Sequence, residues 1–336
     1  MIVLGIETTC DETAAAVVEG GRKILSSHVA SQAALHAPFG GVVPEIACRA
    51  HVETLLPLVR RALDGAGVSL GDIDGIAVAN TPGLVGAILV GLQAAKALAW
   101  AKGIPLVGVH HIEAHVHAVR MEHADLEPPF VALVASGGHT SLYEVDEAAS
   151  LRRVGSTIDD AAGEAFDKVS TLLGLGYPGG PAIERAARGG DRSAVKFPRS
   201  FPGERSSLDF SFSGLKTAVL YRMRGQDGKR SAAAGPSPSV ADVAASFQEA
   251  VVDVLVARTL EAAARARVSA VAVGGGVACN GRLRERLAEE ASRRSIRVAF
   301  PSPALCTDNA AMIAGLGGEK LARGLVSTLD LEAVPT

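Results

Sequence analysis

Two histidines four residues apart are the side chains best suited, by type and spacing, to hold a metal. They lie in the run His111-Ile112-Glu113-Ala114-His115. On a helix, positions i and i+4 share a face, so both imidazoles can reach one cation. A zinc peptidase uses the same spacing with a glutamate directly after the first histidine. Here the acid is one residue later: Glu113 lies about 200° around the helix from His111, so it cannot act as base on a water bound at the histidine face. Two surface histidines are the plain alternative. A metal site needs a third ligand, and Leu305-Cys306-Thr307-Asp308-Asn309-Ala310 offers Asp308. Asp308 reads either as the carboxylate of a His-His-Asp site or as the N-cap of the alanine-rich helix that follows. Cys306 is a soft donor that reads better as a packed thiol.

A second chemistry is suggested by Val273-Gly274-Gly275-Gly276-Val277-Ala278-Cys279-Asn280. It reads as strand, glycine turn and helix. Glycines let a backbone approach a ligand closely, and a helix N-terminus favours a phosphate or nucleotide. The spacing fits neither the dinucleotide fingerprint nor the P-loop, and a tightly packed turn would look the same. Ser136-Gly137-Gly138-His139 offers further backbone donors at a hairpin tip. Asp159 and Asp160 open a helix, where acidic groups suit the positive end of the dipole. Asp167 lies deeper in that helix, and Gly179-Gly180-Pro181 with Glu184 follows. Carboxylates beside a glycine turn can accept hydrogen bonds from ribose hydroxyls. Between Arg185 and Arg230, eleven basic residues face four acidic ones, which reads as a phosphate-binding face or as ordinary solvated surface.

The elements that must position these residues show a repeat. Residues 3–6 and 14–18 read as strands around the polar tip Glu7-Thr8-Thr9-Cys10-Asp11-Glu12-Thr13. Residues 130–135 and 141–145 repeat the arrangement around residues 136–140. Two such units half a chain apart predict an internal duplication, each opening one lobe, with both tips facing one cleft. Two unrelated hairpins are the alternative. Helices are predicted at residues 51–66, 85–102, 161–173, 181–188 and 240–266, and around His111, His115 and His117. Strands are predicted at residues 73–79, 106–109 and 270–273. The alternation is that of an α/β protein. The most apolar stretch, residues 84–101, contains Gln93, Lys96 and several glycines, so a buried helix is expected rather than a membrane span. Residues 225–239 read as a surface loop.

Composition sets the outer bounds. The 336 residues suggest two domains. Hydrophobic residues make up 48% and charged residues 21%, which excludes wholesale disorder. With 33 basic and 36 acidic side chains the net charge is −3, so no uniformly basic nucleic-acid coat is present. Aromatics at 4% argue against base-stacking platforms. Cys10, Cys48, Cys279 and Cys306 form no CxxC pair, so neither a zinc ribbon nor a disulfide framework is expected. A reduced cytoplasmic setting fits, and the N-terminus shows no secretion signal.

Taken together, these motifs resemble one family along nearly the whole chain. The matching runs are Gly5-Ile6-Glu7-Thr8-Thr9-Cys10-Asp11-Glu12-Thr13, Gly41-Val42-Val43-Pro44-Glu45-Ile46-Ala47 with Arg49-Ala50-His51, and His111-Ile112-Glu113-Ala114-His115. Ser136-Gly137-Gly138-His139-Thr140, Phe212-Ser213-Gly214-Leu215-Lys216 and Gly274-Gly275-Gly276-Val277 with Asn280 complete the set. The chain is similar to tRNA N6-adenosine threonylcarbamoyltransferases of the TsaD type, once described as glycoproteases. It departs at Asn80-Thr81-Pro82-Gly83, where the family has Gly-Pro-Gly.

The resemblance implies the two-lobed actin/Hsp70/sugar-kinase-like α/β fold with duplicated ribonuclease-H-like domains. Residues 1–127 would form the N-terminal lobe with residues 309–336 packing back on it, and residues 128–308 the C-terminal lobe. It also implies transfer of a threonylcarbamoyl group from threonylcarbamoyl-AMP, made by another enzyme. The acceptor would be the N6 amine of the adenosine 3′ of the anticodon in tRNAs reading codons that begin with A, and AMP would leave. By the same resemblance His111, His115 and Asp308 hold one divalent metal ion, iron(II) foremost and zinc as the other choice. Val134, Ala135, Ser136, Gly137, Gly138, Asp167, Gly180, Glu184 and Asn280 contact the adenylate, and Asp11, Glu12 and His139 serve catalysis. Expected partners are a paralogous inactive subunit, docked through helices of the N-terminal lobe, and a small P-loop ATPase, with no membrane. The rival activities are a metal-dependent glycoprotein endopeptidase and a sugar or acetate kinase of the same fold.

Overall fold

A computed structural model describes residues 1–200, 207–224 and 238–335. Most of the loop read at residues 225–239, and part of the basic stretch, lie outside them.

The chain opens with β1 (Ile2–Glu7), β2 (Glu12–Glu19), β3 (Lys23–Ser31), the single turn α1 (Ala33–His36), and the long helix α2 (Pro44–Ala66). Then follow β4 (Gly75–Thr81), α3 (Val85–Lys102), β5 (Leu106–His110) and α4 (His111–Glu122). The strands form one sheet in the order β3-β2-β1-β4-β5. The first three are antiparallel, and β4 and β5 run parallel to β1.

A second sheet is built from β6 (Phe130–Ala135), β7 (Thr140–Val145), β8 (Leu151–Ser156), β9 (Ala270–Gly274) and β10 (Arg297–Ala299). Its helices are α5 (Ala162–Leu173), α6 (Gly179–Ala187), α7 (Ser213–Arg224), α8 (Val240–Ala266) and α9 (Gly281–Ser292). Its order is β10-β9-β6-β7-β8, with β6, β7 and β8 antiparallel and β9 and β10 parallel to β6. Read from the other edge, this is the arrangement of the first sheet. The duplication expected from the paired tips is therefore present, as two ribonuclease-H-like α/β units. After β10 the chain returns to the first unit through the short α10 (Pro303–Cys306) and α11 (Ala310–Ala322).

The units comprise residues 1–125 with 301–336, and residues 126–300. The return to the first unit thus begins at Pro301, eight residues before the boundary read from the sequence, because α10 already packs on α4. Asp308 consequently belongs to the first unit.

The inner strands β1, β2 and β4 of the first sheet are buried on both faces, and alternate residues point to opposite sides. Val3, Ala14, Ala16, Val18, Ala77 and Val107 pack with Met312 and Ile313 on one side. Leu4, Ile6, Ala15, Val17, Ile76 and Val78 pack with Leu55, Val59 and Leu92 on the other. The alanine and glycine content of the first face lets α11 lie close to the strands. A Cβ on Gly5 would collide with the Ala310 carbonyl and sit 2.8 Å from the Ala314 Cβ.

Sequence periodicity located β1, β2, β6, β7, α3 and α8 to within about two residues, a scatter expected at element ends. It missed β3 and β8. Both are outer antiparallel strands with polar or half-exposed residues and no apolar run. It started the first long helix at residue 51, whereas α2 begins at Pro44, where a helix tolerates proline at its first position. Helix α3 is only partly interior. It buries Ala87, Ile88, Leu92, Ala95 and Ala99 but leaves Val85, Leu89 and Trp100 exposed. Among the described residues it is the one helix long and apolar enough to cross a membrane by length and composition, and 33% of it is buried within the unit.

Gly5→Ala tests the close approach of α11. Overpacking at this contact is expected to cost about 1–3 kcal/mol. Urea denaturation should show a lower midpoint at unchanged slope, and a midpoint equal to that of the wild type would contradict the contact.

Candidate active site

The tip between β1 and β2 is held by hydrogen bonds from several elements. Thr8 Oγ donates to the Ala87 carbonyl at the start of α3 (2.8 Å). The Thr9 carbonyl accepts from the Leu84 N–H (2.9 Å), and a Cβ on Gly83 would lie 2.5 Å from that carbonyl oxygen, so glycine is needed there. The Cys10 carbonyl accepts from Nε2–H of His51 on α2 (2.9 Å). The Asp11 carbonyl accepts from the Gln32 N–H (3.0 Å).

His51 is itself fixed within a buried polar chain. Its Nδ1 accepts from Thr13 Oγ (2.8 Å) and lies 3.3 Å from Gln32 Nε2. Gln32 Oε1 accepts from His36 Nε2–H (3.2 Å), and His36 Nδ1 accepts from the Val43 N–H (3.2 Å). Burial pushes the His51 imidazole below its usual pKa, which keeps it neutral in this role.

Helix α4 begins at His111, and its first turn faces the tip. The ligand atoms of His111, His115 and Asp308 all lie within 4.8 Å of one another. Asp308 Oδ1 is 3.2 Å from His115 Nε2 and 3.5 Å from His111 Nε2. The N-cap of α11 is Asn309, whose side chain accepts from the Met312 N–H (2.9 Å). Asp308 therefore does not cap the helix, and its carboxylate points to the histidines. Glu113 turns to Lys320 (3.9 Å), away from the pair, so the peptidase arrangement is not formed. Cys306 is buried, its thiol donating to the Pro301 carbonyl (3.5 Å), as a packed thiol does.

The electrostatics of this group are strained. Burial alone would lower the His111 pKa, but the carboxylates of Glu7 and Asp308 outweigh it and lift the imidazole to about 9. Burial holds His115 low despite Asp308. Glu12 is raised well above the usual carboxylate range by burial and by the negative charges of Asp308 and Asp11. The Cys10 thiol is raised for the same reasons. Acidic groups thus crowd around two imidazoles in a poorly solvated place, a setting that favours an added cation.

The remaining predicted residues gather in the second unit, at the C-terminal ends of β6 and β9. Val134 and Ala135 end β6, and Ser136 turns the chain with its N–H donating to the His139 carbonyl (2.7 Å). His139 returns an N–H to Ser136 Oγ (3.2 Å). Helix α5 packs against this turn because Gly163 has no side chain: a Cβ there would sit 2.5 Å from the Ser136 carbonyl oxygen. Gly137, Gly138, Gly180 and Gly276 face open space. Gly275 adopts φ +88° and meets the Ala135 backbone, so only glycine fits. Asp167 Oδ1 accepts from the Gly179 N–H at the start of α6 (2.6 Å). Glu184 Oε1 accepts from the Gly281 N–H at the start of α9 (3.0 Å).

Asn280 caps α9 through its Oδ1 (3.0 Å to the Leu283 N–H) and donates from Nδ2 to Gln248 (2.8 Å). Its amide therefore has a structural task beside any ligand. The helix-dipole role read for Asp159 and Asp160 is not found. Asp159 instead accepts from Phe212 N–H and the Ser211 and Ser213 hydroxyls, and Asp160 pairs with Lys168.

The sequence pattern of one family, TsaD, tRNA N6-adenosine threonylcarbamoyltransferase, matches residues 23–315. The chain belongs to this family. It is 51% identical over 335 residues to the tRNA N6-adenosine threonylcarbamoyltransferase of Geotalea uraniireducens, covering 100% of this chain and 96% of that one. It is 56% identical over 314 residues to that of Syntrophobacter fumaroxidans, covering 94% and 92%. Among solved structures, full-length HypF in its phosphate- and nucleotide-bound form superposes with a TM-score of 0.62 at 14% identity, over 97% of this chain and 47% of that chain. Component A of the (R)-2-hydroxyglutaryl-CoA dehydratase of Acidaminococcus fermentans gives 0.56 at 12%, over 96% and 99%. At these identities the likeness is one of fold, the two-lobed type that the motifs implied. The threonylcarbamoyltransferase is an enzyme of tRNA modification, and no observation favours the endopeptidase or kinase readings.

Sequence reasoning did not single out Glu7, Thr9, Gln32 or His51 as parts of the site. For Glu7 a signal existed: a carboxylate ending an otherwise apolar strand. The protein should depend on His51 for stability. In His51→Ala, the Cys10 carbonyl and the Thr13 hydroxyl lose their partner, at about 1–3 kcal/mol for each buried group left unsatisfied. Thermal or urea unfolding measures this loss, and an unchanged midpoint would show that the tip does not rely on α2.

Proposed function

We propose that the enzyme takes threonylcarbamoyl-AMP as donor and modifies the adenosine 3′ of the anticodon in tRNAs reading codons that begin with A. His111, His115 and Asp308 would hold one divalent cation, iron(II) in preference to zinc. The observation that supports this most is the approach of these three ligand atoms to within 4.8 Å inside a surplus of carboxylates. The donor set fits a borderline cation: two imidazoles and one carboxylate, with positions left for other ligands. When bound, the ion would supply Lewis acidity toward a phosphate or carbamoyl oxygen.

The chain's own residues account for the rest. In the second unit, the open backbone at Gly137, Gly138, Gly180 and Gly276 suits close approach of an adenylate. Asp167 and Glu184 suit its ribose hydroxyls. The N6 amine attacks the carbamoyl carbon. The new C–N bond forms as the bond from that carbon to the phosphate oxygen breaks, and AMP carries away the electron pair. The amine loses one proton, for which Asp11, Glu12 and His139 are the candidates. Burial and the charges of Asp308 and Asp11 raise the Glu12 carboxyl above its usual range, the direction that makes a carboxylate a stronger base. The N–H groups of Gly137 and Gly138, within the Ser136–His139 turn, can stabilise charge developing on the transferred group.

Partners follow from the same reading. Val52 and Leu56 on α2, and Val85 and Leu89 on α3, are exposed. The two helices touch where Cys48 donates to the Gly86 carbonyl (3.4 Å), so these residues form neighbouring apolar stripes. They support docking of a paralogous subunit, with a small P-loop ATPase as a further partner and the cytoplasm as the setting.

Mass spectrometry of tRNA nucleosides tests the activity. With threonine, bicarbonate, ATP and partner proteins, the wild type should form the threonylcarbamoyl nucleoside, and folded His111→Ala should form none. Full activity in a metal-free His111→Ala protein would remove the metal role. The metal reading also predicts a pH dependence. Below about 9 the His111 imidazole is charged in the metal-free protein and must give up a proton before it can ligate. Between pH 7 and 9, affinity for the ion should therefore rise about tenfold per pH unit with release of one proton, and flatten above. Calorimetry in buffers of different ionisation enthalpy measures the proton, and pH-independent affinity would contradict the arrangement.

A further inference from the structure

Glu7 is the last residue of β1 and is completely buried. Both of its carboxylate oxygens are engaged. Oε1 accepts from the Thr9 N–H (2.5 Å), and Oε2 lies 2.8 Å from His111 Nδ1. The Thr9 hydroxyl is 3.3 Å from the same nitrogen. His111 Nε2, on the opposite side of the ring, faces Asp308 Oδ1 at 3.5 Å. One ring nitrogen is thus taken by a fixed carboxylate while the other is turned toward the remaining donors. His115 differs, because its buried Nδ1 has no hydrogen-bond partner among the described residues.

We propose that Glu7 is the positioning residue of the metal centre: it holds the proton on Nδ1 of His111, aims Nε2 of that ring at the ion, and makes the ring a stronger donor. A carboxylate behind a ligating histidine fixes its tautomer and orientation and raises its basicity. Glu7 does not ligate the ion, since the backbone of its own hairpin tip holds the oxygen that His111 does not. The hairpin thereby transmits its position to the metal site through Glu7, with the Thr9 hydroxyl beside the same ring nitrogen. The proposal rests on the metal reading of His111, His115 and Asp308, and it assigns a task to a residue outside that set.

Metal-free wild type, Glu7→Gln, Glu7→Ala and Asp308→Ala are titrated with cobalt(II), with ligand-field absorption and a competing chelator reporting affinity. Thermal melts confirm folding. Glu7→Ala should bind about 10–100-fold more weakly than the wild type. Glu7→Gln, which keeps an oxygen for Nδ1–H but sets an amide against the Thr9 N–H, should fall between them and keeps the test open if the alanine variant does not fold. In zinc-loaded protein labelled with 15N-histidine, the wild type should show His111 bound through Nε2 with a protected Nδ1–H. That proton should exchange freely in Glu7→Ala, a change that a purely structural role would not produce. Wild-type cobalt affinity in the folded Glu7 variants, with weakened binding in Asp308→Ala, overturns the proposal and leaves the metal reading standing. Absence of cobalt and zinc binding by the wild type overturns both.

Discussion

Asp308 reaches the two histidines because α11 lies almost directly on β1 and β4, and that approach exists because glycine and alanine stand at the points of closest contact. Gly5 and Gly317 have no room for a larger side chain. A helix held off by leucine-sized residues would stand farther from the sheet, and Asp308, in the loop two residues before α11, would move with it. The small residues that make this face unremarkable in composition set the geometry of the site. Close packing on an alanine-rich face also buries less apolar area per residue than a leucine-rich one, so the second face, built from leucine, isoleucine and valine, carries more of the hydrophobic stabilisation.

Around this contact the first unit concentrates negative charge where water is scarce. Glu7 and Asp308 flank two imidazoles, Asp11 and Glu12 add charge nearby, and the consequences appear as a raised His111, a raised Glu12 and a raised Cys10. Folding such a cluster is unfavourable unless positive charge compensates it. In the metal-free protein a protonated His111 provides some of that charge. A divalent cation would provide more, at the cost of the same proton. The Glu7–His111 pair therefore ties the protonation of the ring to the position of the hairpin tip.

The second unit repeats the hairpin in a different chemical role. Its tip carries Gly137 and Gly138 in place of carboxylates, and three helices begin around it. Gly163 and Gly275 are required because backbone passes where a Cβ would be. Gly137, Gly138, Gly180 and Gly276 leave space. One topology thus presents a carboxylate-rich tip in the first unit and a donor-rich, open backbone in the second, a division that suits a cation in one and a phosphate in the other.

Much of this was legible in the amino-acid order. The paired strand–tip–strand units, the i,i+4 spacing of His111 and His115, and the glycine turn after β9 are local patterns. Local patterns are set by backbone geometry and hydrophobic period, which sequence expresses directly. Outer strands such as β3 and β8 escaped because their pairing is fixed by a neighbour and not by an apolar run of their own. The choice between capping and ligation for Asp308 was open in the sequence, since both uses suit an aspartate before a helix. The fold gave the cap to Asn309 and brought Asp308 beside His111 and His115, residues almost two hundred positions earlier. Glu7 and His51 gained their tasks in the same way. A buried polar side chain is defined by the partner that satisfies it, and that partner is chosen by tertiary packing.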